Sequence, residues 1–290
     1  MESVNATLFS KGLYSSWCHL PQLEILFDAG EGAATHLGNE LFNVTRIFIG
    51  HHHGDHTLGL PSIIGCRNMV HGMSRNPETR DANKPLTVYY PKGSGRESMQ
   101  NLFGFIWERN RNWLRYELEF IEIEHGMEIE VAKDTFVQAF TMLHDKNYEC
   151  LGYRVIERRK RLKKEFIGED IRALKKSGFV GDVMENYSAN LFAYCLDAYK
   201  IPEASRLSNC ECAIMDCTFV NPDDRDDPTH FTLQESIELC AEWNVKKMVV
   251  GHLSPRYDSR YVRKAIDRLK GGIDDPTIVW YEGSPYLASW

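Results

Sequence analysis

The chain has 290 residues, 43% of them hydrophobic, enough to bury a full core in one large domain or two small ones. Its formal charge of -7 excludes a protein that coats nucleic acid indiscriminately, because the summed field repels phosphates, yet it leaves room for a local basic contact. No run approaches the roughly 18 to 20 apolar residues that span a bilayer, and residues 1–11 lack the basic start and apolar run of a secretory signal, so a cytoplasmic protein with no membrane attachment is expected.

No internal repeat, low-complexity tract or Pro/Gly/Ser-rich linker divides the chain, which predicts one domain over 1–290. In chain order, Leu23 to Phe27, Val44 to Ile49, Leu86 to Tyr90, Leu118 to Ile123 and Phe136 to Leu143 have the β-branched and aromatic content or the alternation of half-buried strands. A basic stretch follows from Arg154 to Lys176, with Arg158, Arg159, Lys160, Arg161, Lys163, Lys164, Arg172 and Lys175 among its cations. It reads either as a grip for the phosphates of a folded RNA or as a solvated amphipathic helix. Strands are then expected at Leu191 to Leu196, Ala213 to Met215, Met248 to Val250 and Thr277 to Trp280. Helices are expected from Leu233 and from Arg260, the first opened by a capping box at Thr232-Leu-Gln-Glu235. Helices that each show one apolar stripe, set among strands, predict a layered α/β architecture. The eight cysteines follow no disulfide spacing and read as reduced thiols, and Cys210-x-Cys212 is only a weak metal pair. Trp17, Trp107 and Trp113 lie in apolar surroundings, which favours core or interface over base-stacking platforms.

The chemistry is concentrated in Phe48-Ile-Gly-His-His-His-Gly-Asp-His-Thr-Leu-Gly-Leu-Pro61, which places ligand-type side chains directly after a predicted strand. His51 and His53 alternate, so an extended backbone aims both at one ion; Asp55 and His56, across the turn at Gly54, can face a second. His52 is expected to point away. Imidazole and carboxylate without thiolate suit a catalytic zinc or manganese site better than a closed structural one. Further ligands are available at other strand ends: His144, Asp197 and His252.

These segments resemble ribonuclease Z, the endonuclease family of the metallo-β-lactamase superfamily that trims the 3′ end of precursor transfer RNA. The matches are Leu26-Phe-Asp-Ala-Gly-Glu-Gly32, the His51 to Pro61 segment, Leu151-Gly-Tyr-Arg154, Ala213-Ile-Met-Asp-Cys-Thr-Phe219 and Val250-Gly-His-Leu-Ser-Pro-Arg-Tyr257. Phe9-Ser-Lys-Gly-Leu13 at the start, and Arg158 to Phe166 in place of a long arm, are similar to the family's short-armed branch. The resemblance implies a four-layer αββα sandwich and a homodimer, with a short basic arm at about 154–180. It also implies that His51, His53 and His144 hold one divalent ion, that Asp55, His56 and His252 hold another, and that Asp197 bridges them. Asp55 would orient the attacking water or accept its proton, and His230, held by Asp216, would supply a proton to the leaving oxygen or stabilise its charge.

The chain departs from the family's pattern at the arm and at two positions near the metals. Leu196-Asp197-Ala198 replaces Gly-Asp-Thr, and Met215-Asp216 replaces His-Glu, making the carboxylate behind His230 one methylene shorter. The expected partner is therefore precursor transfer RNA, with a small cyclic nucleotide as the alternative substrate of the same site. A thioester or lactone hydrolase and a nucleic-acid-binding protein with structural metals remain as further readings.

Overall fold

The computed structural model describes residues 5–70, 84–93, 95–110, 114–145, 148–178, 181–270, 277–280 and 286–289. The first half opens with a hairpin of β1 (Asn5–Lys11) and β2 (Ser15–Leu20), followed by β3 (Ile25–Phe27), α1 (Ala33–Leu37), β4 (Arg46–Phe48), α2 (Gly54–Thr57), α3 (Leu60–Val70), β5 (Leu86–Pro91), α4 (Arg96–Asn110) and β6 (Leu118–Ile123). The second half runs β7 (Glu128–Ala132), β8 (Thr135–Asp145), β9 (Tyr148–Leu162), α5 (Ile171–Lys176), β10 (Met184–Cys195), β11 (Cys212–Asp216), α6 (Leu233–Glu242), β12 (Lys247–Gly251), α7 (Ser259–Lys270) and β13 (Thr277–Val279). The last strand, β14 (Tyr286–Ser289), pairs back onto β1.

Among the described residues these strands make two seven-stranded sheets, ordered β14-β1-β2-β3-β4-β5-β6 and β13-β12-β11-β10-β9-β8-β7. In each sheet a parallel block, β3 to β6 or β10 to β13, adjoins an antiparallel one. The inner faces meet in a core of Leu8, Phe27, Phe48, Val137, Tyr153, Phe192 and Ile214. Phe27 is its centre, with ring centroids 5.3 to 5.7 Å from Phe48, Tyr153, Phe192 and Tyr194. Truncating such a ring costs about 3–5 kcal/mol. The outer face of the first sheet is covered by α1, α3 and α4 through Ala33, Leu60, Ile63, Ile64, Phe103 and Ile106. The outer face of the second is covered by α6 and α7 through Leu233, Ile237, Cys240, Val262 and Ile266. Helix, sheet, sheet, helix is the four-layer αββα sandwich.

Three sequence expectations change. Helices α3 and α4 carry Leu60, Ile63, Ile64 and Met99, Phe103, Ile106 at helical spacing, a pattern the strand-rich reading of the first half passed over. The basic stretch is not an amphipathic helix at its start. Arg154 to Leu162 continues β9, paired with β10 from Tyr153↔Tyr194 out to Leu162↔Met184, and only Ile171–Lys176 turns helical. Cross-strand contacts favour the strand: Arg161 pairs with Glu185 and lies over the Tyr187 ring, while Arg158 lies over Phe136. Trp17 is in the core as expected, but Trp107 is 52% exposed, because it falls off the apolar stripe of α4. Trp113 lies outside the described residues.

Candidate metal centre

The two sheets deliver their strand ends to one edge of the sandwich. Asp28 follows β3, the segment from Gly50 to His56 follows β4, and His144 is near the end of β8. Asp197 follows β10, Asp216 ends β11 and His252 follows β12. His53 is extended at φ -61°, ψ 151° and serves as N-cap of α2, so Asp55 and His56 fall on the first turn. This turn is pressed onto the end of the first sheet at Gly30, where a Cβ would lie 2.3 Å from the Asp55 carbonyl oxygen; no side chain fits there.

The ligand atoms fall into overlapping groups within 4.8 Å of one another: His51, His53, His144 and Asp197; Asp55, His56, Asp197 and His252; and, beside them, Asp197, Asp216, His230 and His252. Asp197 is common to all. Its Oδ2 lies 3.3 Å from His51 Nε2 and 3.9 Å from His144 Nε2, and its Oδ1 lies 3.3 Å from His56 Nε2 and 3.0 Å from His252 Nε2. Asp55 Oδ2 is 3.3 Å from His252 Nε2 and 3.6 Å from His56 Nε2. His52 belongs to none of these groups. It packs against Gly95, where φ is +83° and a Cβ would lie 2.2 Å from its Nδ1. Cys210 and Cys212 are buried and belong to no ligand group among the described residues; burial pushes the Cys210 thiol up to about 12.

Whether these residues suit cations is decided by their unsatisfied atoms. Nε2 of His51, Nε2 of His56 and Oδ1 of Asp197 are buried and make no hydrogen bond, which is expensive unless a cation satisfies them. Nitrogen and oxygen donors without sulfur fit divalent zinc or manganese. The protonation states of four of these groups agree, whereas the carboxylates of Asp197 and Asp28 outweigh burial at His56 and raise that ring well above its ordinary value, so a cation there would displace a proton. Burial holds His51 well below its ordinary value and brings His53 down to about 4, aided by neighbouring imidazoles, so both rings keep lone pairs. Burial opposes ionisation of Asp55 and Asp197, but the surrounding imidazoles outweigh it: Asp55 comes down to about 2 and Asp197 lies well below the carboxylate range.

A second ring of contacts aims these candidate ligands. Asp28 accepts from the Gly50 N–H at 2.7 Å and the Tyr194 hydroxyl at 2.9 Å, and its Oδ2 lies 2.6 Å from His56 Nδ1, turning Nε2 inward. The Thr229 carbonyl accepts from His144 Nδ1 at 2.9 Å, with the same effect. Nothing in the sequence reading gave Asp28, Tyr194 or Thr218 a role. Asp28 carried the same signal as Asp197, an acid directly after a short apolar strand.

His230, two residues before the capping Thr232, brings its ring within 4.7 Å of His144 and 5.1 Å of His252. Its Nδ1 donates to Asp216 Oδ2 at 2.7 Å, so the shorter carboxylate still reaches. Burial lowers the affinity of His230 for a proton, but the charge and hydrogen bond of Asp216 outweigh it and raise the ring to about 9.

A family model described as the β-lactamase superfamily domain matches residues 24–253. The chain is 28% identical over 268 residues to ribonuclease BN of Citrobacter koseri, covering 81% of this chain and 80% of that one. It is 26% identical over 265 residues to ribonuclease Z of Bacillus cereus, covering 80% and 78%. Its fold is similar to that of human tRNase Z, short form, with a TM-score of 0.62, 18% identity and 98% of each chain covered.

Proposed function

The chain belongs to the β-lactamase superfamily, and on that premise we propose that it is a two-metal phosphodiesterase acting on RNA, the endoribonuclease that removes 3′ trailers from precursor transfer RNA. The observation that carries this reading is Asp197, shared by two sets of inward-facing ligands with the Asp216-held His230 beside them. His51, His53 and His144 would hold one divalent ion, Asp55, His56 and His252 the other, and Asp197 both. Zinc or manganese bound there would lower the pKa of a shared water and polarise a phosphoryl oxygen. Asp55, ionised and at the edge of the ligand set, orients the attacking water or accepts its proton. His230, with Nδ1 committed to Asp216, offers the proton on Nε2 to the departing 3′-oxygen. The same reading makes the protein a cytoplasmic homodimer, and light scattering of the purified chain tests the dimer.

A second reading, hydrolysis of small cyclic nucleotides at the same site, has one observation in its favour. Arg158, Arg159 and Arg161 are already paired with Glu128, Glu157 and Glu185, which leaves the arm less basic than its sequence. The deciding experiment offers the zinc- or manganese-loaded protein a precursor transfer RNA with a 3′ trailer and, separately, cyclic AMP and cyclic GMP. Endonucleolytic removal of the trailer is expected; turnover confined to the cyclic nucleotides would replace the first reading with the second.

A further inference from the structure

Thr218 lies two residues past the end of β11, buried between the proton-donating pair and a proposed metal ligand. Its backbone N–H donates to Asp216 Oδ1 at 2.8 Å, and its hydroxyl donates to the same oxygen at 2.7 Å. On its other side, Oγ1 lies 2.9 Å from Nδ1 of His252. The hydroxyl has a single proton. Each oxygen of Asp216 already accepts a backbone N–H, from Thr218 at 2.8 Å and from Ala198 at 3.0 Å, and Oδ2 also accepts from His230. The group is therefore a carboxylate with no proton to give, and the threonine proton is committed to it. What remains on Oγ1 is a lone pair. The hydrogen between Thr218 and His252 must then sit on Nδ1 of His252, which leaves Nε2, facing Asp197 and Asp55, as the nitrogen that a cation would take.

We propose that Thr218 is a positioning residue that fixes the Nδ1–H tautomer of His252 and ties it to the His230–Asp216 pair. One carboxylate thereby sets the hydrogens of two rings: that of His230 directly, and that of His252 through a hydroxyl. The same carboxylate, through the Ala198 N–H, also holds the turn that carries Asp197. The proposal rests on the two-ion reading of the centre and is independent of which phosphodiester is cut.

Thr218→Val preserves shape and removes the hydroxyl; Thr218→Ser preserves the hydroxyl. Ring-nitrogen NMR of the metal-free protein reads the tautomer of His252 without any appeal to activity. The native chain and Thr218→Ser are expected to show Nδ1–H, and Thr218→Val a mixture or the opposite form. Chelator competition is expected to show a 10- to 100-fold weaker site for one of two zinc equivalents in Thr218→Val, with Thr218→Ser within about threefold of the native chain. In the loaded enzyme kcat falls while KM for the substrate holds. A native tautomer in Thr218→Val, or full affinity for both equivalents, overturns the proposal. Thr218→Ala carries the same expectation and the same refutation if the valine variant does not fold.

Discussion

Asp28→Asn perturbs the centre while leaving every proposed ligand in place. The native carboxylate accepts three hydrogens, from Gly50, Tyr194 and His56, and holds His56 so that Nε2 faces Asp197 at 3.3 Å. An amide has one oxygen and two N–H groups. With its oxygen kept on Gly50, its NH2 confronts Nδ1 of His56, which can accept only if the ring's hydrogen moves to Nε2. That hydrogen then stands where the cation would bind. With the amide turned over, its NH2 faces the Gly50 N–H and a buried donor is stranded. Either outcome is expected to weaken one zinc site by about 10- to 100-fold, or about 1.4 to 2.7 kcal/mol. Chelator competition at pH 7.5, with zinc counted by atomic absorption, measures it, and added zinc should restore part of the missing turnover. Two equivalents bound within threefold of native affinity would refute the argument that Asp28 aims His56.

His230→Ala should lower kcat by about 10²- to 10⁴-fold with both ions retained. Because the ring is raised to about 9, it stays protonated through neutrality, and its titration should appear as an alkaline limb of kcat/KM; Asp216→Asn should move that limb to lower pH, and an unmoved limb would remove His230 from the proton transfer. His19, buried in β2, is brought down to about 4 by burial, so its contribution is complete above pH 6.5 and lost as pH falls toward 4. That loss is on the order of 3 kcal/mol across the window, and urea melts of His19→Gln should show a shallower acid limb than the native chain. Thr232→Ala removes the capping box of α6 and should cost about 1 kcal/mol, a fall of roughly 2–4 °C in Tm by calorimetry. Replacing Lys163, Lys164, Lys175 and Lys176 together by glutamine should flatten the salt dependence of precursor binding by about 0.7 for each phosphate no longer neutralised, while cyclic nucleotide turnover stays unchanged; an unaltered salt slope would detach the arm from RNA.

What the sequence disclosed follows from how local each signal is. The strand Leu118–Ile123 and the capped start of α6 at Thr232 are written in a few adjacent residues, and both stand where their patterns placed them. The ligand-rich segment from His51 to His56 is equally local. The hairpin of Asn5–Lys11 and Ser15–Leu20 was hidden because its polar serines and lysine are tolerated by pairing and by contact with the site edge: Ser10 Oγ, for example, accepts from the His252 N–H. Roles that depend on distant chain meeting in space were invisible. Asp28 reaches Tyr194 across 166 positions, and Thr218 reaches His252 across 34. In the arm, the run Arg158-Arg-Lys-Arg161 has no apolar alternation to mark a strand, and the contacts that favour one come from Glu185 and Tyr187 on the partner strand.

Asp28, Asp197 and His252 share a backbone peculiarity: φ values of +53°, +57° and +55°, in the left-handed region where residues other than glycine are strained by about 1 kcal/mol or more. Each follows a strand whose ladder holds it in place, so the sharp turn is enforced by the closing of the sheets. The entropy of assembling the ligands is therefore incurred when the chain folds, before any cation arrives. Such a centre behaves as a rigid socket. A cation bound there is expected to exchange without refolding of the chain.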